Sequence, residues 1–197
     1  MQKTDESEIR QLMNLFCGFD KKIGRTEIIS FDEYDKCTSK SWTCDGPVTL
    51  ELWQKHINGQ GAGLGIVPLR EDNTIVWGCI DIDVYPIDMD DLTRQLTTAE
   101  CPLIPFRSKS GGAHLMAFFD EPIDAEKGQL FLKHWAHTLG FGNCEIFPKQ
   151  TMREQPYEVG NWLNMPYYNG DEGGRHAIID NKPATLTEFL RGMNNEN

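Results

Sequence analysis

Residues 74–85, TIVWGCIDIDVY, constrain this chain more than any other segment. The run is apolar and β-branched, which reads as a largely buried strand, yet it carries aspartates at 81 and 83. Alternate residues of a strand share a face, so Asp81 and Asp83 point one way while Ile80, Ile82 and Val84 point into the core. Two neighbouring carboxylates repel, and half-burying them is costly without a counter-charge. A divalent cation supplies one, and Mg²⁺ or Mn²⁺ prefers carboxylate oxygen. A lone D-x-D pair is also common on solvent-facing strands, so its surroundings decide what it means.

The pattern on either side sets the fold class. Apolar residues at Ile9, Leu12, Met13, Leu15 and Phe16 give helical spacing over 7–19. Residues 20–47 are polar and read as one or two strands with loops. A short helix over 50–58 stops at the glycine-rich GQGAGLG, and a strand over 65–69 turns at Asp72–Asn73. After the aspartate-bearing strand comes a helix over 88–99 that opens on Asp88, Asp90 and Asp91. Strands follow over 103–107 and 113–119. Next is a helix over 124–139, N-capped by Asp124, with Leu132, Trp135, Ala136 and Leu139 on one face. A strand over 144–147 and a short helix over 186–193 complete the series. From residue 74 the order is β-α-β-β-α-β, the ferredoxin-like or RRM-like unit. The predicted class is α+β, with a βαββαβ catalytic module (71–197) packed against a smaller N-terminal αβ module (1–70) in one compact domain.

Composition excludes several classes. Of 197 residues, 39% are hydrophobic and 25% charged, which rules out a collagenous, low-complexity or disordered chain. No apolar stretch approaches the roughly 20 residues that a bilayer span needs. The opening MQKTDESEIR lacks a secretory layout, so a cytoplasmic protein is expected. A net charge of -11 argues against a generic nucleic-acid coat. The six cysteines are scattered without a CxxC pair; the spacing of Cys37 and Cys44, with His56 following, is wrong for a zinc ribbon. Reduced thiols and no zinc are expected. His134 and His137, three apart on a helix, read as amphipathic surface.

In a β-α-β-β-α-β sheet the first and third strands are central neighbours and the fourth flanks the first. That topology brings His114, at the start of the third strand, and Glu145, on the fourth, beside Asp81 and Asp83. The string Arg107-Ser108-Lys109-Ser110-Gly111-Gly112-Ala113-His114 offers two cations, two hydroxyls and paired glycines that let backbone N–H groups approach an anion. Beside a carboxylate metal site, a triphosphate is the natural ligand. Two metals about 4 Å apart activate a 3′-hydroxyl and stabilise pyrophosphate, so nucleotidyl transfer uses every part.

These residues resemble a family. DID at 81–83, SKSGGAH at 108–114 and EIF at 145–147 look like the three motifs of the archaeo-eukaryotic primase superfamily. GLGIVPLR, EIFPKQ and GNWLNMPYYNG look more narrowly like phage and mobile-element primase-polymerases, including the primase domains of TOTE conflict systems. The resemblance covers roughly 45–170. Relatives often carry glycine-x-glycine-x-histidine, whereas Ser110 stands here at the first glycine. It implies an enzyme making or extending primers from NTPs or dNTPs on a single-stranded DNA template, with a helicase or accessory domain as a further partner. Asp81, Asp83 and Glu145 would hold two Mg²⁺ or Mn²⁺ ions. His114, Ser110, Lys109, Arg107, Gly111 and Gly112 would hold the triphosphate. Lys149, Arg153 and Asn161 would contact nucleotide or template, Trp162, Tyr167 and Tyr168 would stack on a base or pack in the core, and Tyr85 would lie near the ribose. The alternatives are a catalytically inactive single-strand-binding module and another palm enzyme such as a nucleotide cyclase, whose GGDEF hairpin is absent. The acidity then limits DNA affinity without excluding DNA, making binding weak and salt-sensitive.

Overall fold

Backbone pairing sorts most of the strands into two four-stranded antiparallel sheets. The computed structural model describes residues 4–31, 37–155 and 157–195. Helix α1 (Glu6–Leu15) leads into the long strands β1 (Phe19–Phe31) and β2 (Cys37–Asp45), then α2 (Leu50–Ile57) and β3 (Gly63–Val67). The second unit runs β4 (Thr74–Ile82), α3 (Met89–Thr98), β5 (Ile104–Arg107), β6 (Ala113–Asp124), α4 (Ala125–Thr138) and β7 (Glu145–Phe147). Short pieces close the chain: β8 (Leu163–Asn164), a 3₁₀ turn (Gly170–Glu172), β9 (Ile178–Ile179), β10 (Lys182–Pro183) and α5 (Leu186–Asn195). The first sheet has the order β2-β1-β3-β8 and the second β5-β6-β4-β7, while β9 and β10 form a small hairpin. The second sheet is the expected β-α-β-β-α-β arrangement, and the chain is mixed α+β. Strand β8, drawn from beyond β7, completes the first sheet.

Helix starts follow their caps. The Asp88 carboxylate accepts from the Asp91 N–H at 2.9 Å, and that of Asp124 from the Glu126 N–H at 2.9 Å. Both helices cover one face of the second sheet, where Ile80, Ile82, Leu115 and Ala117 meet Leu92, Leu96, Leu132 and Ala136. The opposite face, with Trp77, Cys79, Met116 and Phe106, joins a larger core with Leu12, Trp53, Leu64, Ile66 and Phe189. Strand β4 is thus buried on both sides. It stops sooner than the sequence indicated: pairing ends at Ile82, and Val84, expected in the core, is 48% exposed. Strand β6 runs five residues past the expected Phe119, because the start of β4 pairs with its far end, Thr74 with Asp124. His134 and His137 are exposed on α4, as expected.

The aromatic run near the end of the chain is structural. Tyr167 is fully buried, its hydroxyl donates to the Ala184 carbonyl at 3.2 Å, and its ring stacks on Phe189. Base stacking by Tyr167 is therefore excluded. Trp162 lies across Gly24 and Gly65, which face each other on β1 and β3, and donates to Thr43 Oγ1 at 3.1 Å. A Cβ at Gly65 would come 2.3 Å from the indole. Tyr168 donates to the Gly61 carbonyl at 2.6 Å and packs edge-on to His56.

His56 spends both ring nitrogens on backbone. Nδ1 accepts from the Leu64 N–H at 2.9 Å, so Nε2 donates to the Pro166 carbonyl at 2.8 Å. These bonds clamp α2, β3 and the segment after β8 together.

Two outcomes follow. Gly65→Ala should lower unfolding free energy by about 1–3 kcal/mol through overpacking against Trp162, and Trp162→Leu should relieve part of that loss, as denaturant titration would show. Burial, followed by the nearby cations of Arg175 and Arg25, pushes His56 from 6.5 down to about 3. The unfolded chain binds the proton first, so stability is full above pH 6.5 and falls as pH drops toward 3. The slope should reach about 1.4 kcal/mol per pH unit, and His56→Gln should lose that share of it in urea midpoints measured across the range.

Candidate active site

The ladder of the second sheet aligns one row of side chains. Phe106 pairs with His114, His114 with Asp81, and Asp81 with Glu145. Directly opposed residues share a face with Cβ atoms roughly 5 Å apart. Phe106 is wholly buried and floors the row. The His114, Asp81 and Glu145 side chains are 8%, 15% and 57% exposed, so the row opens to solvent toward β7. His114 Nε2 stands 3.3 Å from Asp81 Oδ1.

Asp83 lies just past the end of β4, and Tyr85 donates its hydroxyl to Asp83 Oδ1 at 2.7 Å. Burial, then that bond to a carboxylate, pushes the Tyr85 phenol up to about 12, and the Ser110 hydroxyl beside it pulls the other way. The phenol stays protonated and donating. Lys149 Nζ sits 2.7 Å from Glu145 Oε2 and over the Phe147 ring. This pair is solvent-facing and correspondingly weak.

The loop between β5 and β6 crosses the end of β4. The Ser108 N–H donates to the Gly112 carbonyl at 2.9 Å and the Gly111 N–H to the Ser108 carbonyl at 3.2 Å. Gly111 has φ +84, and a Cβ on Gly112 would lie 2.4 Å from the Ile82 carbonyl oxygen. Both positions therefore demand glycine. Lys109 Nζ donates to Ser39 Oγ at 2.6 Å, and Ser110 Oγ lies 3.3 Å from Cys37 Sγ, so the loop is tied to β2 of the first sheet.

The other expected contacts scatter. Arg107 pairs with Ala113, which puts it on the helix-covered face, away from Asp81. Arg153 lies over the Phe19 ring, and its Nε donates to the Glu158 carbonyl at 2.8 Å. Its backbone N–H donates to Asn73, at the end of β4 remote from the carboxylates by roughly 26 Å of strand. Asn161 is exposed and bonded through Gln150.

Arg175, not among the residues expected from the sequence, is a buried cation beside Tyr168. It is 6% exposed, its guanidinium lies over the Tyr168 ring at 5.1 Å, and Nη1 has no hydrogen-bond partner. Among the described residues no carboxylate pairs with it. The available signal was Gly173-Gly174 ahead of Arg175-His176 and the apolar Ala177–Ile179 stretch.

Among the described residues, no three His, Cys, Asp or Glu side chains already converge as a ligand set for a metal. Glu145 is drawn toward Lys149 and Asp83 toward Tyr85. The donor chemistry nonetheless fits a hard divalent cation: Asp81 and Glu145 are opposed on one face, and Asp83 lies two residues along from Asp81. Glu145 is exposed enough to swing from Lys149 toward Asp81.

No helix of the described residues is long and apolar enough to cross a membrane. No curated protein matches the chain. The family model described as TOTE conflict system, Archaeo-Eukaryotic Primase domain, matches residues 20–194, from β1 into α5, and so spans both sheets and the carboxylate row. By that match over most of its length, the chain belongs to the archaeo-eukaryotic primase domain family of TOTE conflict systems, a primase-like branch of the nucleotidyltransferases.

Proposed function

We propose that the chain is a template-directed primase-polymerase core that joins NTPs or dNTPs on single-stranded DNA. The observation that carries this reading is the row Asp81–His114–Glu145 on one sheet face, with a glycine loop across its end. Asp81, Asp83 and Glu145 would hold two Mg²⁺ or Mn²⁺ ions, which when bound supply positive charge to the attacking and leaving oxygens of phosphoryl transfer.

The chain's own groups do the rest. Asp81 orients the His114 imidazole, which presents a ring N–H to a phosphate oxygen. The Ser110 hydroxyl, the Lys109 ammonium and the N–H groups of the glycine loop take the other oxygens. Tyr85 holds the Asp83 carboxylate in one orientation through its hydroxyl. Lys149 neutralises Glu145 until a cation displaces it. In this reading 71–197 carries the chemistry and 1–70 covers the nucleotide through Ser39 and Cys37. Arg107, Asn161 and Arg153 lie farther out and would serve template or primer. A replicative helicase or accessory domain, in a mobile-element setting, suits an acidic catalytic piece whose own hold on DNA is weak.

A single assay tests the proposal: single-stranded template with and without primer, labelled NTPs or dNTPs, and Mg²⁺ or Mn²⁺. Asp81→Asn should reduce incorporation to background with an unchanged circular dichroism spectrum; a folded variant that still incorporates overturns the assignment. Binding of single strands by the wild type without incorporation under either metal favours the inactive module. Tyr85→Phe should cost about 10–100-fold in kcat with little change in KM for nucleotide, as expected for a group that orients a ligand from behind.

A further inference from the structure

The six cysteines sit in unlike surroundings. Cys79 is fully buried, and burial pushes the Cys101 thiol up. Cys144 precedes Glu145 in the chain and lies in the field of Asp81 and Asp83, which opposes a further negative charge. Cys44 packs against the main core, and Cys17 is exposed to water. Cys37, the first residue of β2, is half-buried, and its Sγ lies 3.3 Å from Ser110 Oγ on the glycine loop.

Two cations flank this sulfur. Cys37 and Ser39 share one face of β2, and Lys109 Nζ donates to Ser39 Oγ at 2.6 Å. The ammonium thus stands one same-face step, roughly 7 Å, along the strand from Cys37. Ser41 continues that face and meets Thr26 Oγ1 at 3.1 Å; Thr26 in turn pairs with Gly63. A Cβ at Gly63 would lie 3.4 Å from Arg175 Nη1, so the guanidinium occupies the same face of the first sheet. Arg175 is 6% exposed, Nη1 has no hydrogen-bond partner, and among the described residues no carboxylate pairs with it. Burial lowers its pKa to about 10, and Cys37, ahead of Tyr168, pulls it back up.

A negative charge on the Cys37 sulfur would therefore find a guanidinium, an ammonium and a hydroxyl donor. Thiols in such partly exposed, electropositive places react as thiolates. Asp83 is linked to this sulfur only at one remove, through Tyr85 and Ser110.

We propose that Cys37 is a thiol-modification site that exchanges with low-molecular-weight disulfides and, once capped, separates the glycine loop from β2. The Cys37 sulfur, its proton given to solvent, attacks one sulfur of the disulfide. The new S–S bond forms as the old one breaks, and the departing thiolate takes a proton from solvent. Cys37 is oxidised and the released half of the reagent is reduced, so no other oxidant is needed. Excess thiol reverses the step. A cap cannot share the 3.3 Å gap with Ser110, and that contact is one of the two side-chain ties between β2 and the loop. The effect on nucleotide joining rests on the function proposed above; the exchange chemistry does not.

The test treats the full chain at neutral pH with glutathione disulfide and follows each cysteine by peptide mass spectrometry. Cys37 should be capped about tenfold faster than the more exposed Cys17, and dithiothreitol should remove the adduct. Arg175→Gln should slow capping of Cys37 several-fold and leave Cys17 unchanged. Amide hydrogen exchange over residues 108–112 should rise when wild type is capped, and should not respond to the reagent in Cys37→Ala. Equal rates at Cys37 and Cys17, or unchanged loop exchange in the capped chain, overturn the proposal. So does undiminished capping in folded Arg175→Gln; if that variant does not fold, Lys109→Gln is judged by the same measure. Capping that loosens the loop in a chain that incorporates no nucleotide sinks the primase reading and keeps this one. Incorporation by a chain whose Cys37 reacts no faster than Cys17 does the reverse.

Discussion

The double-sided pairing of β4 is the constraint on which the site depends. This strand is held by β6 on one side and β7 on the other, with apolar layers against both of its faces. A one-residue slip would turn Asp81 into the helix layer and Ile80 or Ile82 toward solvent. Register is therefore fixed by the cost of misplacing large apolar side chains, and the carboxylate inherits its position without contributing to it. His114 and Glu145 are placed by the same ladder. Three functional groups from three strands need no mutual attraction to meet.

The two ends of β4 behave differently for the same reason. At its start, pairing continues to Asp124, where the carboxylate that ends β6 also caps α4. At its finish, pairing stops at Ile82, and the chain leaves the sheet with Asp83, Val84 and Tyr85 exposed. The unpaired end is where the glycine loop can lie across the strand. Gly112 sits against the Ile82 carbonyl because no side chain intervenes. Termination of the ladder and approach of the loop are one structural event, and it leaves Asp83 free to be oriented by a side chain, Tyr85, where Asp81 is oriented by the sheet.

Periodicity made the second sheet legible in the sequence, because each strand alternates or is continuously apolar and each helix has an aspartate cap. The order of strands, and so the meeting of Asp81, His114 and Glu145, followed from topology alone. Face assignments in the loop were not legible. Arg107 and Lys109 looked equivalent as cations, yet Arg107 is the last laddered residue and its parity sends it to the helix side. Arg153 looked close to Glu145 in sequence, but the chain after β7 runs back along the sheet to Asn73. Tyr167 reads in the sequence as either a base-stacking or a core aromatic, because neighbouring polar residues hide the two-residue strand and the hairpin that bury it. Arg175 escaped notice since burial of an arginine is a tertiary fact, set by Tyr168 below it and Gly63 beside it.

Charge is distributed in a way that the net value of -11 conceals. The exposed ion pairs, such as Arg10 with Glu6 and Arg94 with Asp91, join neighbours on a helix and do little beyond local neutralisation. The seam between the sheets is different: among the described residues Arg175 is buried over the Tyr168 ring with no carboxylate paired to it, and Lys109 donates to a hydroxyl. Cations left uncompensated in low dielectric act over a short range and with little screening, whereas the acidic exterior acts over a Debye length and fades with salt. A polyanion thus meets repulsion from afar and attraction only once inside the seam. A small, mobile phosphate ligand can pass that barrier more readily than a duplex, whose backbone must lie along the whole acidic surface. If the chain joins nucleotides as proposed, the same distribution would weaken its general hold on nucleic acid and leave Lys109 at the loop that takes the triphosphate.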